Sequence, residues 1–159
     1  MTGATFSERL RFVQLTQHSD YALRTLVALG ASSPDPLTAA EISAAYGISV
    51  HHVLKIIQRL SLLGYVETTR GRGGGVRLAL PPEQIRLGEL LRQTEVEFGV
   101  VACLRQGDTP CTIEPACSLK SVFQRATHAF FEVLDQHTLA DVLRPKRGIA
   151  RLLQLGRPA

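Results

Sequence analysis

The sequence predicts a mainly α fold: a winged helix-turn-helix unit of three helices and a β-hairpin wing, followed by a long C-terminal dimerisation helix. Three features point there. Two helical segments meet at a tight Gly47-Ile48 turn, a glycine-tipped pair of strands follows over 65–80, and a late segment over 118–136 carries apolar residues at alternating three- and four-residue steps.

Residues 1–12 are polar and weakly patterned, an N-terminal extension to the unit over 13–82. From Ser19, Tyr21, Leu23, Leu26, Val27 and Leu29 recur at helical spacing, with Ser19 or Asp20 as the expected cap. Residues 30–36 are dense in turn formers. Thr38-Ala39-Ala40-Glu41 then reads as a capping box, and its helix stops at Gly47. Ser49 opens the next helix, over 49–63, with Val50, Val53, Leu54, Ile57 and Leu60 as the expected buried stripe. His51, His52, Lys55, Gln58 and Arg59 form its polar face. Gly64 ends it, strands over 65–69 and 76–80 flank the glycine-rich turn 70–75, and Pro81-Pro82 closes the unit.

Residues 83–117 read as a connecting helix, around 85–95, and a loop that holds every cysteine. Residues 118–159 read as the dimerisation helix and a tail. Leu119, Val122, Phe123, Ala126, Phe130, Val133 and Leu134 approach a heptad seam. With so few neighbours in its own chain, that seam is expected to meet a second copy.

The chain has 159 residues, 45% of them hydrophobic, enough for one folded domain or two small ones sharing a core. No apolar run approaches the ~18 residues of a membrane span, and no secretory signal is apparent at the start, so a cytosolic protein without a membrane partner is expected. The net charge of +4 is unevenly spread. Residues 49–80 carry five basic side chains against one acidic, residues 83–117 three against six, and residues 144–159 five against none. A basic segment beside an acidic one fits a protein with one phosphate-facing surface.

The helix–turn–helix and wing supply that surface. The first helix and the turn hold the second at a fixed angle, so its polar face can enter a major groove. Ser49, His51, His52, Lys55 and Arg59 are the candidate DNA contacts on that helix; Arg70 and Arg72 are those of the wing, where glycines let the backbone approach the duplex. The bland alternative is a core helix beside an ordinary hairpin. A nucleotide-phosphate cradle at 70–75 is disfavoured, because the segment lacks the Gly-Lys-Ser/Thr ending and lies between strands.

Cys103, Cys111 and Cys117 are the only cysteines, spaced Cys-x7-Cys-x5-Cys. An odd number in a cytosolic chain argues against a disulfide framework. Soft thiolates clustered on a loop select zinc or an iron–sulfur cluster, either of which normally takes a fourth ligand. No acid–base constellation accompanies them, so an enzyme is not expected.

The motifs Asp20-Tyr-Ala-Leu-Arg24, Leu60-Ser-Leu-Leu-Gly-Tyr-Val66, Arg70-Gly-Arg-Gly-Gly-Gly-Val-Arg-Leu78, Cys111-Thr-Ile-Glu-Pro-Ala-Cys-Ser-Leu-Lys120 and Thr138-Leu-Ala-Asp-Val142 resemble the NsrR type of the winged-helix iron–sulfur regulators, a family that also includes IscR and RirA. The resemblance runs from about 13 to 155. It implies a homodimeric transcriptional repressor on double-stranded operator DNA, released when nitric oxide attacks its cluster. By the same resemblance the cluster is 4Fe–4S, with 2Fe–2S the alternative, on Cys103, Cys111 and Cys117. The fourth ligand it implies is Asp20 of the partner subunit. IscR-like members have a histidine three residues after the last cysteine, where this chain has Lys120. A redox- or iron-responsive regulator of the same fold, with another cluster or none, is the competing reading.

Overall fold

The computed structural model describes residues 14–71, 73–95, 98–99, 101–104 and 111–155. Helix α1, Gln17–Ser32, is the axis of the fold: Ala22, Leu26, Ala28 and Leu29 are at most 2% exposed, and other elements pack around them. Its cap is Thr16, whose Oγ1 accepts from the Ser19 backbone N–H. This corrects the expected start at Ser19 or Asp20. Ser19 is instead buried in the first turn, donating its hydroxyl to Thr94 Oγ1 at 2.9 Å.

Helix α2, Ala39–Tyr46, begins with the expected capping box. The Thr38 N–H and hydroxyl both donate to Glu41 Oε2 at 2.7 Å, and Thr38 Oγ1 accepts from the Glu41 N–H. Gly47 ends it at φ 65°, a left-handed conformation that glycine adopts without a Cβ penalty. Removing the cap oxygen is expected to cost about 1 kcal/mol, so Thr38→Ala lowers the urea midpoint with an unchanged m-value.

Helix α3, Val50–Leu62, is capped by Ser49, whose side chain accepts from the His52 N–H. Its buried side chains are Val53, Ile56, Ile57 and Leu60. The expected stripe is thus rotated: Ile56 joins it, while Val50 and Leu54 stand 43% and 52% exposed. Strands β1, Val66–Thr69, and β2, Gly75–Leu78, pair antiparallel with Glu67 opposite Arg77. Leu37 adds a short third rung by exchanging backbone hydrogen bonds with Val76, which ties the wing to the start of α2.

A 3-10 turn at Pro82–Gln84 leads to α4, Leu87–Thr94. Two more such turns, Ala102–Leu104 and Glu114–Ala116, precede α5, Leu119–Asp135. The chain returns through α6, Leu139–Val142, and α7, Lys146–Leu152. Both pack on α1, with Leu139 and Leu143 buried and Ile149, Ala150, Leu153 and Leu155 partly buried against the core. Gly30 permits this approach, because a Cβ there would overlap the Leu143 side chain. No helix among the described residues is long and apolar enough to cross a membrane.

Candidate functional site

The first half of α3 presents Ser49, His51, His52 and Lys55 outward, all exposed, with the two histidine rings 6.3 Å apart. His52 lies beside the Tyr21 ring of α1 at 6.1 Å, so one edge of this surface rests on the central helix. Arg70 is exposed where β1 runs into the wing; Arg72 falls outside the described residues. Arg59, on the last turn of α3, donates Nη2 to the Gln93 carbonyl at 3.1 Å. This internal contact ties the last turn of α3 to α4.

The three cysteines are free thiols, Cys111 exposed and the other two half-buried. Cys103 sits in the 3-10 turn that packs on α5, and Cys117 directly precedes the α5 cap Ser118. Cys111 lines a pocket with Thr112, Glu114, Pro115 and Lys120. Glu114 and Lys120 form an ion pair across it. Glu114's hydrogen bond and then its charge hold the Lys120 ammonium above its usual value, and the charge of Cys103 adds to the effect. Lys120 thus shares its pocket with Cys111, the middle cysteine of the segment. The chemistry of the donors, three soft thiols on one segment, suits iron–sulfur ligation, but the structure does not bring the three sulfurs together. Among the described residues no three His, Cys, Asp or Glu side chains gather as a metal-binding group, for zinc or for iron.

Asp20 lies in the first turn of α1, partly exposed, and pairs with Arg24 at 2.9 Å through Oδ2. Its competing role as the helix cap is removed by Thr16.

Sequence reasoning missed what joins these parts. Phe98 stacks on Phe130 at 5.1 Å and meets Phe131 edge-on at 4.7 Å, anchoring the segment before Cys103 to α5. Arg92 of α4 grips both oxygens of Asp135 at 2.7 Å and lies 4.4 Å above the Phe131 ring. Arg86 adds a bond to the Asp135 carbonyl. On its other side α4 reaches α1 through Ser19–Thr94 and Thr16–Glu95, and α3 through Arg59. Helix α4 thus links the thiol-bearing segment and α5 to the outward-facing helix. No local sequence pattern signals such pairs.

Asp135 and Asp141 are both held below the usual carboxylate value, Asp135 first by its hydrogen bond from Arg92 and Asp141 first by the Thr138 backbone N–H. A lowered folded pKa stabilises fully above the unfolded value, near 3.9, and the gain is lost as pH falls through the folded value. Melting curves below about pH 4 are therefore expected to drop less steeply for the Asp135→Asn, Asp141→Asn double variant than for the parent.

The family profile described as "Rrf2: Iron-dependent Transcriptional regulator" matches residues 15–145. The chain belongs to the Rrf2 family. It is 44% identical over 144 residues to the HTH-type transcriptional regulator NsrR of Bacillus subtilis, covering 90% of this chain and 99% of that protein. T. potens IscR superposes with a TM-score of 0.65 at 25% identity, over 84% of this chain and 88% of that one. CymR, the global cysteine regulator of B. subtilis, does so with a TM-score of 0.67 at 25% identity, over 82% and 95%. The Rrf2 assignment makes the chain a DNA-binding transcriptional regulator with a winged helix, of the NsrR type. The NsrR proteins of Bacillus licheniformis and Geobacillus kaustophilus match at 42% identity, each over 89% of this chain.

Proposed function

We propose that this Rrf2 protein represses transcription in the cytoplasm as a homodimer on operator DNA, and that nitric oxide relieves the repression through an iron–sulfur cluster. The observation that carries the reading is the position of the three free thiols, on the segment between α4 and the exposed helix α5. Cys103, Cys111 and Cys117 would hold the cluster, 4Fe–4S on the NsrR resemblance, with Asp20 of the partner subunit as the fourth ligand. When bound, its iron supplies the atom with which nitric oxide reacts.

The chain's own residues account for the rest. Leu119, Val122 and Val133 leave an apolar face on α5 that is 46–58% exposed, suited to the same face of a second copy. Phe98 and the turn at Cys103 bind the thiol segment to α5, and Arg92–Asp135 binds α5 to α4. Ser19–Thr94 and Arg59–Gln93 pass that position on to α1 and α3. Two α3 helices held in this way would enter successive major grooves, ~34–36 Å apart. On α3, Ser49, His51, His52 and Lys55 would reach bases and phosphates, with Arg70 and Arg72 of the wing against the backbone or minor groove.

The test is a gel shift with anaerobically purified protein on its own upstream DNA, before and after a nitric oxide donor. Release after the donor is expected. Unchanged affinity rejects the nitric oxide reading, and release by an iron chelator alone would assign the protein to iron response instead.

A further inference from the structure

The outward face of α3 is not wholly polar. Val50 and Leu54 are 43% and 52% exposed, on the first two turns after the Ser49 cap. They lie one helical turn apart on one flank, between the buried stripe of Val53, Ile57 and Leu60 and the exposed His51 and Lys55. His52, on the opposite flank, faces Tyr21. Leaving two branched apolar side chains in water beside basic ones gains nothing in the free protein. Both become useful when the helix enters a groove that carries apolar groups between phosphates. The thymine 5-methyl is the one apolar group that base edges offer there.

We propose that Val50 and Leu54 are specificity determinants that read thymine methyl groups in the operator major groove, while Lys55 and Arg70 hold the phosphates. The inference rests on the DNA-binding reading of α3 and adds which base that helix selects. Four residues of helix advance about 6 Å, so the two side chains address thymines one or two base-pair steps apart, spaced ~3.4 Å per step. Charge complementarity selects DNA as the occupant: Lys55 and the polar His51 border the patch, and α3 carries no acidic residue.

The test uses the full chain, purified without oxygen, and a half-site obtained by selection from a random duplex library. Each thymine is then replaced singly by deoxyuridine, which keeps every hydrogen-bonding atom and removes only the methyl. The parent is expected to lose about fourfold in affinity at one or two thymines per half-site, the worth of one buried methyl. Val50→Ala and Leu54→Ala should each erase the loss at one of those positions and leave the others unchanged. Both side chains are exposed, so the variants are expected to stay within about 0.5 kcal/mol of parental stability.

Tight selected binding with no deoxyuridine effect, or the same effect in both alanine variants, overturns the proposal. So does a change in subunit number for either variant, which would assign the patch to a protein contact. A selection that enriches no sequence at all would instead bring down the DNA-reading role of α3.

Discussion

Cys103→Ser, Cys111→Ser and Cys117→Ser are each expected to yield a folded, colourless protein that holds little iron or sulfide. Serine is isosteric but lacks the soft thiolate that retains iron. None of the three sulfurs belongs to the buried core, so circular dichroism and melting of the winged unit should stay near those of the parent protein freed of metal. Operator affinity should fall about 5- to 150-fold, the usual range of a coupling between two sites. A control on the same loop sharpens the reading: Thr112 is exposed and is not a thiol, so Thr112→Ala should retain colour and binding. Serine variants that keep a full iron and sulfide count would remove the cysteines from the site.

The second large effect comes from a glycine. Gly88 is buried in the first turn of α4, where a Cβ would overlap the Asp135 carboxylate and come within 2.9 Å of its Cγ and 3.1 Å of its backbone nitrogen. Part of that obstacle is backbone, so rotation of one side chain cannot relieve it. Gly88→Ala must push the end of α5 away from α4 and break the two-pronged Arg92–Asp135 contact. The expected cost is about 1–3 kcal/mol, as for an overpacked core, or roughly 2–4 °C per kcal/mol in melting temperature. Gly148, inside α7, has nothing within 4 Å of its Cβ position. Gly148→Ala should therefore stabilise by up to about 1 kcal/mol through helix propensity. Thermal melts of the two variants test the opposite signs. If α4 transmits as proposed, Gly88→Ala also weakens operator binding while the iron content stays full.

These two glycines mark where sequence reasoning reaches its limit. What depends on neighbours within four residues was legible: the Thr38 capping box, the Gly47 stop, the Ser49 cap and the glycine-tipped hairpin. The rotation of α3 was not. Period alone admits Val50 and Leu54 to the buried stripe, whereas in the fold, with α1 and α2 packed on α3, Ile56 is buried and those two are exposed. The apolar pattern starts α1 too late because the cap, Thr16, lies ahead of it. Helix α7 was hidden by its basic residues, although Ile149, Ala150 and Leu153 pack on the core between them. For the candidate site, the thiols and the outward residues of α3 could be named from their spacing. Phe98 on α5, Arg92 on Asp135 and Arg59 on Gln93 each join segments more than thirty residues apart, where no periodicity operates.

The central claim is that the state of the thiol-bound iron sets the grip of α3 on the operator. One titration tests it most directly: nitric oxide added stepwise to the anaerobic protein–operator complex, with cluster absorbance and DNA occupancy recorded on the same sample. The account predicts that occupancy falls in step with the loss of the parent absorbance, both complete at the same nitric oxide-to-cluster ratio. Full occupancy after the absorbance has gone would contradict it.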